Sequence, residues 1–372
     1  MLFRPRFGII FAMKAPFQAG SHRRVSAPPD KRFLIRISIL LGSLISGAGA
    51  LAPAVAADAA PFPDAVRREL QPLRFAADIA PSEAVRAYWR FYGLDPPGAR
   101  HLFGAFRSDG RNLAAHVFVP PSPTATVVLV HGYYDHAGVW RHLIPRLLEK
   151  GFAVVAYDQP GHGLSDGARA SIADFAEYVT AFDDALALCQ PALPPPYHVV
   201  AHSMGAGVVL DRLLRTPPDV VGHVVLLAPL VRSAHWSSSG LGHAVASRLV
   251  ETVPRLYRDN SADPEFRRFV RQDPLQYDRL PTAWVTAHRA WVARMDKASP
   301  TQQPVTVLQG ADDTTVDWKA SLAWVRRVFP RAGVTLMAGA GHQLMNEAEA
   351  TRADAIRRVL EALAPAPPRP AP

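Results

Sequence analysis

From Ala125 onward, short apolar runs alternate with stretches of helical length, and this alternation constrains the fold more than any other feature of the chain. The runs are Thr126–Val130, Phe152–Ala156, His198–Ala201, His223–Ala228, Val305–Leu308 and Val334–Met337. They are rich in β-branched residues, nearly all apolar, and too short for helices. Strands buried on both faces of a parallel sheet read this way. Between most of them lie amphipathic stretches: Trp140–Glu149, Ile172–Leu188, Ala206–Leu214, Trp318–Phe329 and Glu347–Leu363. Strand–helix alternation predicts right-handed crossovers and an α/β fold, with a mostly parallel central sheet flanked by helices. A chain of 372 residues, 49% of them hydrophobic, suits one large domain with an insertion.

One connection breaks the rhythm. Between Pro229 and Pro300 there is no buried strand, only helical patterns at Leu241–Thr252, Pro264–Arg271 and Pro281–Met295. This predicts an inserted helical cap, residues 231–299, over the carboxyl ends of the strands, where open α/β sheets bind ligands. Residues 99–230 and 300–363 then form the core. A helical lead-in, 57–98, precedes it. His101–Phe106 and Leu113–Val119 flank Asp109-Gly110, a strong hairpin signal. The Ala/Pro/Arg tail, 364–372, reads as disordered.

The net charge of +9 suggests a nucleic-acid partner until its distribution is read. Up to Ala57 there are eight basic residues and one acid, which is +7 of the total; from Asp58 onward 33 basic residues face 31 acidic ones. A nearly neutral body excludes a polyanion-binding surface of the usual kind. The basic head precedes an uncharged run, Ile37 to Ala57, with Ala54-Val55-Ala56 near its end. Residues 1–56 are expected to act as a secretory signal cleaved after Ala56. The alternative is an uncleaved anchor holding the protein at a membrane surface. The only cysteine, Cys189, permits no intrachain disulfide and reads as a small buried hydrophobe on a helix.

The chemistry-bearing residues sit where strands end. His198–Ala201 leads into His202-Ser203-Met204-Gly205 and then a helix. A strand, a tight turn of small residues and a helix expose a serine hydroxyl above a sheet. The small residues two before and two after Ser203 are Ala201 and Gly205, so the motif departs from glycine at the first position. Asp313 follows the run Val305–Leu308, and His342 follows Val334–Met337 in a Gly-rich loop. Serine, acid and histidine in that order compose a nucleophile, its general base and the carboxylate that orients the base. Asp312 is the alternative acid, and Asp317 is expected to cap the next helix. The loop His131-Gly132-Tyr133-Tyr134 follows the first parallel strand. Main-chain N–H groups of Tyr133 and Met204 are the expected oxyanion donors. His131 and the Asp158–Ser165 turn read as structural.

Together, His131-Gly132, Asp158-x-x-Gly161-His162-Gly163-x-Ser165, His202-Ser203-Met204-Gly205, Gly310-x-x-Asp313 and Gly341-His342 resemble the monoglyceride lipase/lysophospholipase branch of the α/β-hydrolases, of the serine aminopeptidase S33 type. The resemblance covers about Arg100 to Leu363. It implies the α/β-hydrolase fold and hydrolysis of a small-molecule or lipid-like ester. It also favours Asp313, the third residue after the turn glycine, over Asp312. The Tyr133-Tyr134 pair departs from the small or polar residues usual there.

Three function classes fit these residues: an ester hydrolase, another serine chemistry such as an aminopeptidase, perhydrolase or C–C hydrolase, and a non-catalytic binding protein on the same scaffold. An aminopeptidase needs cap carboxylates to hold an amine, and Asp263, Glu265 and Asp273 are available. Epoxide hydrolysis is disfavoured because it needs aspartate in place of Ser203. No phosphate loop, dinucleotide fingerprint or metal-ligand spacing occurs, so neither a cofactor nor a metal is expected. From Arg232 to Lys297, 11 basic residues face 7 acidic ones. That surplus fits either an anionic or zwitterionic headgroup or solvent-facing helices.

Overall fold

The computed structural model describes residues 62–76, 79–215, 220–236, 243–244 and 246–364. The leader at 1–56 and the tail from 365 lie outside the described residues. Helices α1 (Phe62–Glu69) and α2 (Glu83–Tyr92) come first. Ser82 caps α2 by accepting from Val85 N at 3.2 Å, and Gly93 ends it in the left-handed conformation. Strands β1 (Arg100–Ser108) and β2 (Arg111–Val119) form the expected hairpin. Asp109 and Gly110, with φ of 44° and 74°, supply the positive pair that a tight two-residue turn requires.

The alternating core follows as β3 (Ala125–Val130), α3 (Ile144–Glu149), β4 (Phe152–Tyr157), α4 (Ala176–Cys189), β5 (Tyr197–His202), α5 (Met204–Arg215) and β6 (Val221–Leu227). The insertion carries β7 (Thr252–Pro254), α6 (Pro264–Gln272), β8 (Arg279–Pro281) and α7 (Thr282–Met295). The core resumes with β9 (Thr306–Gly310), α8 (Trp318–Val328), β10 (Gly333–Met337) and α9 (Glu349–Leu363). Eight strands make one sheet in the order β1-β2-β4-β3-β5-β6-β9-β10. Only the β1–β2 and β2–β4 pairs are antiparallel. Every residue of β3, β4 and β5 is buried. Val128 and Val130 face a cluster with Phe182 of α4, Leu210 of α5 and Val325 of α8. Val127 and Leu129 face the opposite cluster, with Tyr88 of α2, Leu147 of α3 and Val359 of α9. Full burial of each such side chain contributes about 1.5–3 kcal/mol.

Three expectations need correction. The helix expected from Trp140 starts only at Ile144, because Pro145 suits a first turn and interrupts an interior; Ala137–Trp140 is a separate 3-10 turn. The helix expected from Ile172 starts at Ala176, where Asp174 accepts from Ala176 N at 2.8 Å and opens the first turn. The cap is not wholly helical. The pattern expected to run to Thr252 gives way to turns, and Thr252–Pro254 pairs antiparallel with Arg279–Pro281. Thr252 and Val253 are β-branched, and Pro254 cannot donate within a helix. Part of that pattern (241–242 and 245) lies outside the described residues.

Strand order reverses at β3, which has β4 on one side and β5 on the other. This places the crevice of an open sheet at the carboxyl ends of β3 and β5. There α5 leaves β5 and passes close over the end of β3. A Cβ on Gly205 would meet His131 O at 2.6 Å, and Val130 O closer still. Ala201, the departure from glycine on the strand side, is fully buried in β5 opposite Val130 and Leu226. Its methyl group is absorbed in the core. Gly205→Ala should therefore destabilise the fold by about 3 kcal/mol, the upper end of the usual overpacking cost. Ala201→Gly should cost only about 1 kcal/mol from chain entropy and a lost methyl contact. Urea denaturation of both variants measures the difference.

Candidate active site

Ser203 links β5 to α5 with φ of 51°, a conformation that costs a residue with a Cβ about 1–3 kcal/mol. Main-chain bonds hold it there. Ser203 N donates to Leu227 O at 2.9 Å, and Ser203 O accepts from Gly207 N at 3.1 Å and Leu230 N at 3.0 Å. The hydroxyl Oγ lies 2.9 Å from His342 Nε2. His342 Nδ1 lies 2.7 Å from Asp313 Oδ2. An ionised carboxylate only accepts, so Nδ1 carries the proton and Nε2 of the neutral ring is left to accept from Ser203.

Asp313 is fixed on both oxygens. Oδ1 accepts from Thr315 N at 2.8 Å and Val316 N at 3.1 Å, and Oδ2 also accepts from Gln309 Nε2 at 3.0 Å. Burial pushes its pKa up, but the His342 imidazole and the two main-chain donors outweigh burial and hold it below the usual 3.8. Asp312 is exposed and takes no part. Asp317 caps α8, accepting from Ala320 N at 3.1 Å. Thus the structure brings Ser203, Asp313 and His342 together across three strand ends and leaves the other two aspartates outside.

The loop after β3 runs beside Ser203: a Cβ on Gly132 would lie 3.1 Å from Ser203 Cβ. Met204 is the first residue of α5, where main-chain N–H groups have no acceptor within the helix. The Tyr133 phenol donates to Ala170 O at 2.7 Å, and its ring stacks on Trp284 of α7 at 3.8 Å. With that side chain committed to packing, any part Tyr133 plays at Ser203 falls to its main chain. His131 and the Asp158 turn are structural, as expected. His131 Nε2 accepts from Gln159 N at 2.9 Å, and Asp158 accepts from Ala137 N at 2.7 Å and Leu164 N at 2.8 Å.

Residues 121–349 match the family described as serine aminopeptidase, S33. The chain belongs to that family. It is 31% identical to a monoacylglycerol lipase of Mycolicibacterium smegmatis over 251 residues, 64% of this chain and 89% of the relative. It is 24% identical to phospholipase YtpA of Bacillus subtilis over 240 residues, 61% and 91% of the two chains. Among solved structures, a soluble variant of monoglyceride lipase from Saccharomyces cerevisiae aligns with a TM-score of 0.60 at 18% identity, covering 72% of this chain and 95% of that one. That likeness shows the α/β-hydrolase fold.

This S33 family member also carries buried polar groups that its sequence did not advertise. Asp135, after the Tyr pair, sits 3.4 Å from His202 Nδ1 and accepts from Gln343 Nε2 at 3.1 Å. Burial pushes Asp135 up, but His202 and Gln343 hold it far below the ordinary carboxylate value. His202 Nε2 in turn donates to His342 O at 3.1 Å. Glu347, fully buried, accepts from Gly341 N at 2.8 Å and Ala262 N at 2.7 Å. Asn260 O accepts from His342 N at 3.0 Å and Gln343 N at 2.9 Å, so the insertion itself holds the histidine loop. Asp273 receives Tyr92 Oη at 2.5 Å and lies 2.8 Å from His136 Nε2, tying the insertion to α2 and to the loop after β3. Asp135 and Glu347 lie within a few residues of the His131-Gly132 and Gly341-His342 motifs, the one sequence signal that could have marked them, while Asp273 was marked only as a cap carboxylate. Ser203, Asp313 and His342 are 6%, 6% and 3% exposed, so the site is nearly closed.

The orienting carboxylate is the sharpest target. Asp313→Asn should lower kcat about 10⁴-fold, because the amide no longer selects the reactive tautomer, while Asp312→Asn retains most of the activity. Asp313 has a depressed folded pKa, so its stabilising contribution is complete above the unfolded pKa and disappears as pH falls through the folded one. Below pH 3.8 the wild type should therefore lose stability that Asp313→Asn never had, as chemical denaturation across acid pH would measure.

Proposed function

We propose that this protein is a serine carboxylic-ester hydrolase acting on lipid-like acyl esters through an acyl-enzyme. The observation that carries the reading is the continuous chain from Ser203 Oγ to His342 Nε2 at 2.9 Å and from His342 Nδ1 to Asp313 at 2.7 Å. Ser203 Oγ attacks the ester carbonyl carbon while its proton passes to His342 Nε2. The tetrahedral oxyanion is held by N–H groups of Met204 and Tyr133. On collapse, His342 returns the proton to the departing alcohol oxygen, leaving the acyl group on Ser203. Water then attacks with His342 as base, and the carboxylic acid leaves with Ser203 restored. The monoacylglycerol lipase and phospholipase names of the relatives support a lipid-like ester.

The family description raises a peptidase reading, which the cap carboxylates disfavour. Asp263 caps α6, accepting from Glu265 N at 2.8 Å. Asp273 is buried against His136 and Tyr92. Glu265 is exposed at the start of α6. Asp263 and Asp273 are thus taken up within the fold, and of the three only Glu265 is left to receive a substrate amine.

Wild-type protein should label with a fluorophosphonate probe and hydrolyse monoacylglycerols, and Ser203→Ala should lose both, with kcat down about 10⁶-fold. A folded wild type that does not label would point to a binding protein. Faster turnover of an aminoacyl anilide than of any ester would point to a peptidase. The leader supports export, since +7 of the +9 charge and the uncharged run from Ile37 to Ala57 lie in it or at its end. Expression of the full chain should yield mature protein beginning at Ala57. Recovery from membranes with residues 37–51 still attached would instead establish an anchored enzyme.

A further inference from the structure

Arg255 is the cap residue whose chemistry the triad does not use. It leaves β7 with its N–H on Asp278 O at 2.8 Å, and its guanidinium carbon lies 3.9 Å over the Tyr134 ring and 4.6 Å from that of Tyr257. Nη1 donates to Gln276 Oε1 at 2.6 Å and Tyr277 O at 3.2 Å. The described residues offer no acceptor to its Nε and Nη2, and no carboxylate lies within ion-pair distance. Four other cap arginines have carboxylate partners: Arg232 and Arg294 pair with Asp296 and Asp174, and Arg267 and Arg271 share Asp259. Burial pulls the Arg255 pKa down, with the surrounding tyrosines and Asp135 opposing it. Asp135 is already engaged by His202 and Gln343. Arg255 is half-buried rather than enclosed, and stacking on tyrosine occupies the face of a guanidinium while leaving its edge donors free.

The position of this cation follows from its neighbours. Tyr134 lies between Tyr133 and Asp135, in the loop that passes beside Ser203. Five residues after Arg255, Asn260 O holds the main chain of His342 and Gln343. The segment from Arg255 to Asn260 thus runs from the loop beside the nucleophile to the loop of the base. We propose that Arg255 is a specificity residue whose edge donors receive an anionic oxygen group, phosphate or carboxylate, carried by the ester substrate. A planar fork with two free N–H edges matches such a group. The proposal rests on the ester-hydrolase reading and adds to it the charge of the substrate.

Two matched pairs test it and separate the sources of the anion. One pair is 1-decanoylglycerol and 1-decanoylglycerol 3-phosphate, with the charge on the alcohol half. The other is methyl decanoate and monomethyl sebacate, with the charge on the acyl half. In at least one pair the wild type should show the higher kcat/KM for the anionic member. Arg255→Gln should lower that anionic-to-neutral ratio at least tenfold, with the loss mainly in KM, and Arg255→Lys should recover part of it. The proposal is overturned if the wild type prefers the neutral member of both pairs. It is also overturned if Arg255→Gln lowers both members of each pair equally, which marks Arg255 as a staple on Tyr134. Should Arg255→Gln not fold, Arg255→Lys is judged by the same ratio, which a staple would leave unchanged. Failure of the hydrolase reading looks different: no member of either pair is turned over and Ser203 does not label.

Discussion

At the crossing of α5 over the end of β3, the Cα of Gly205 sits against the carbonyl oxygens of Val130 and His131, with no room for a side chain between them. This approach brings the first turn of α5 down onto the sheet and leaves Ser203 at the tip of the bend with positive φ. It also brings the loop after β3 alongside, so that Gly132 and Ser203 nearly touch. The strain at Ser203 persists because its main-chain N–H and C=O are bound to Leu227, Gly207 and Leu230. A residue in unfavourable geometry survives where its surroundings over-determine it.

Buried carboxylates organise the rest of the carboxyl edge. Asp158 fixes the starts of two turns, Asp313 holds His342, Asp135 and Glu347 hold the segments flanking it, and Asp273 ties the middle of the insertion to His136 and Tyr92. Each receives main-chain N–H groups, a histidine or an amide side chain, and charge-assisted bonds of this kind are about twice as strong as neutral ones. The insertion takes part in this bonding through Asn260, Ala262 and Asp273. The insertion is thus bonded to the loop of His342, and Arg255 belongs to the segment that makes those bonds.

Much of this was legible in the sequence because it depends on local pattern. The six apolar runs, the hairpin at Asp109-Gly110, the serine turn and the histidine after the last strand all follow from side-chain periodicity and turn chemistry, which act over a few residues. The helices start later, at Ile144 and Ala176, because a proline and an aspartate that bonds the main chain two residues on decide a first turn more strongly than amphipathicity does. The β7–β8 ribbon was missed for a different reason: its strands have three residues each, and their pairing partners lie 25 or more residues apart.

The sequence by itself determined the order of elements and the residue types of the site: Ser203 before Asp313 before His342, each after a strand. It also determined that Gly205 has no side chain to obstruct the turn. Only the tertiary structure decided between Asp312 and Asp313 on physical grounds, since adjacent residues in a loop differ in direction and one alone faces the histidine. Only the tertiary structure brought Asp135 to His202, Glu347 to Ala262 and Arg255 over Tyr134, across separations of 67, 85 and 121 residues. Such contacts leave no local periodicity, because they are set by the meeting of loops from different strands above a common sheet edge.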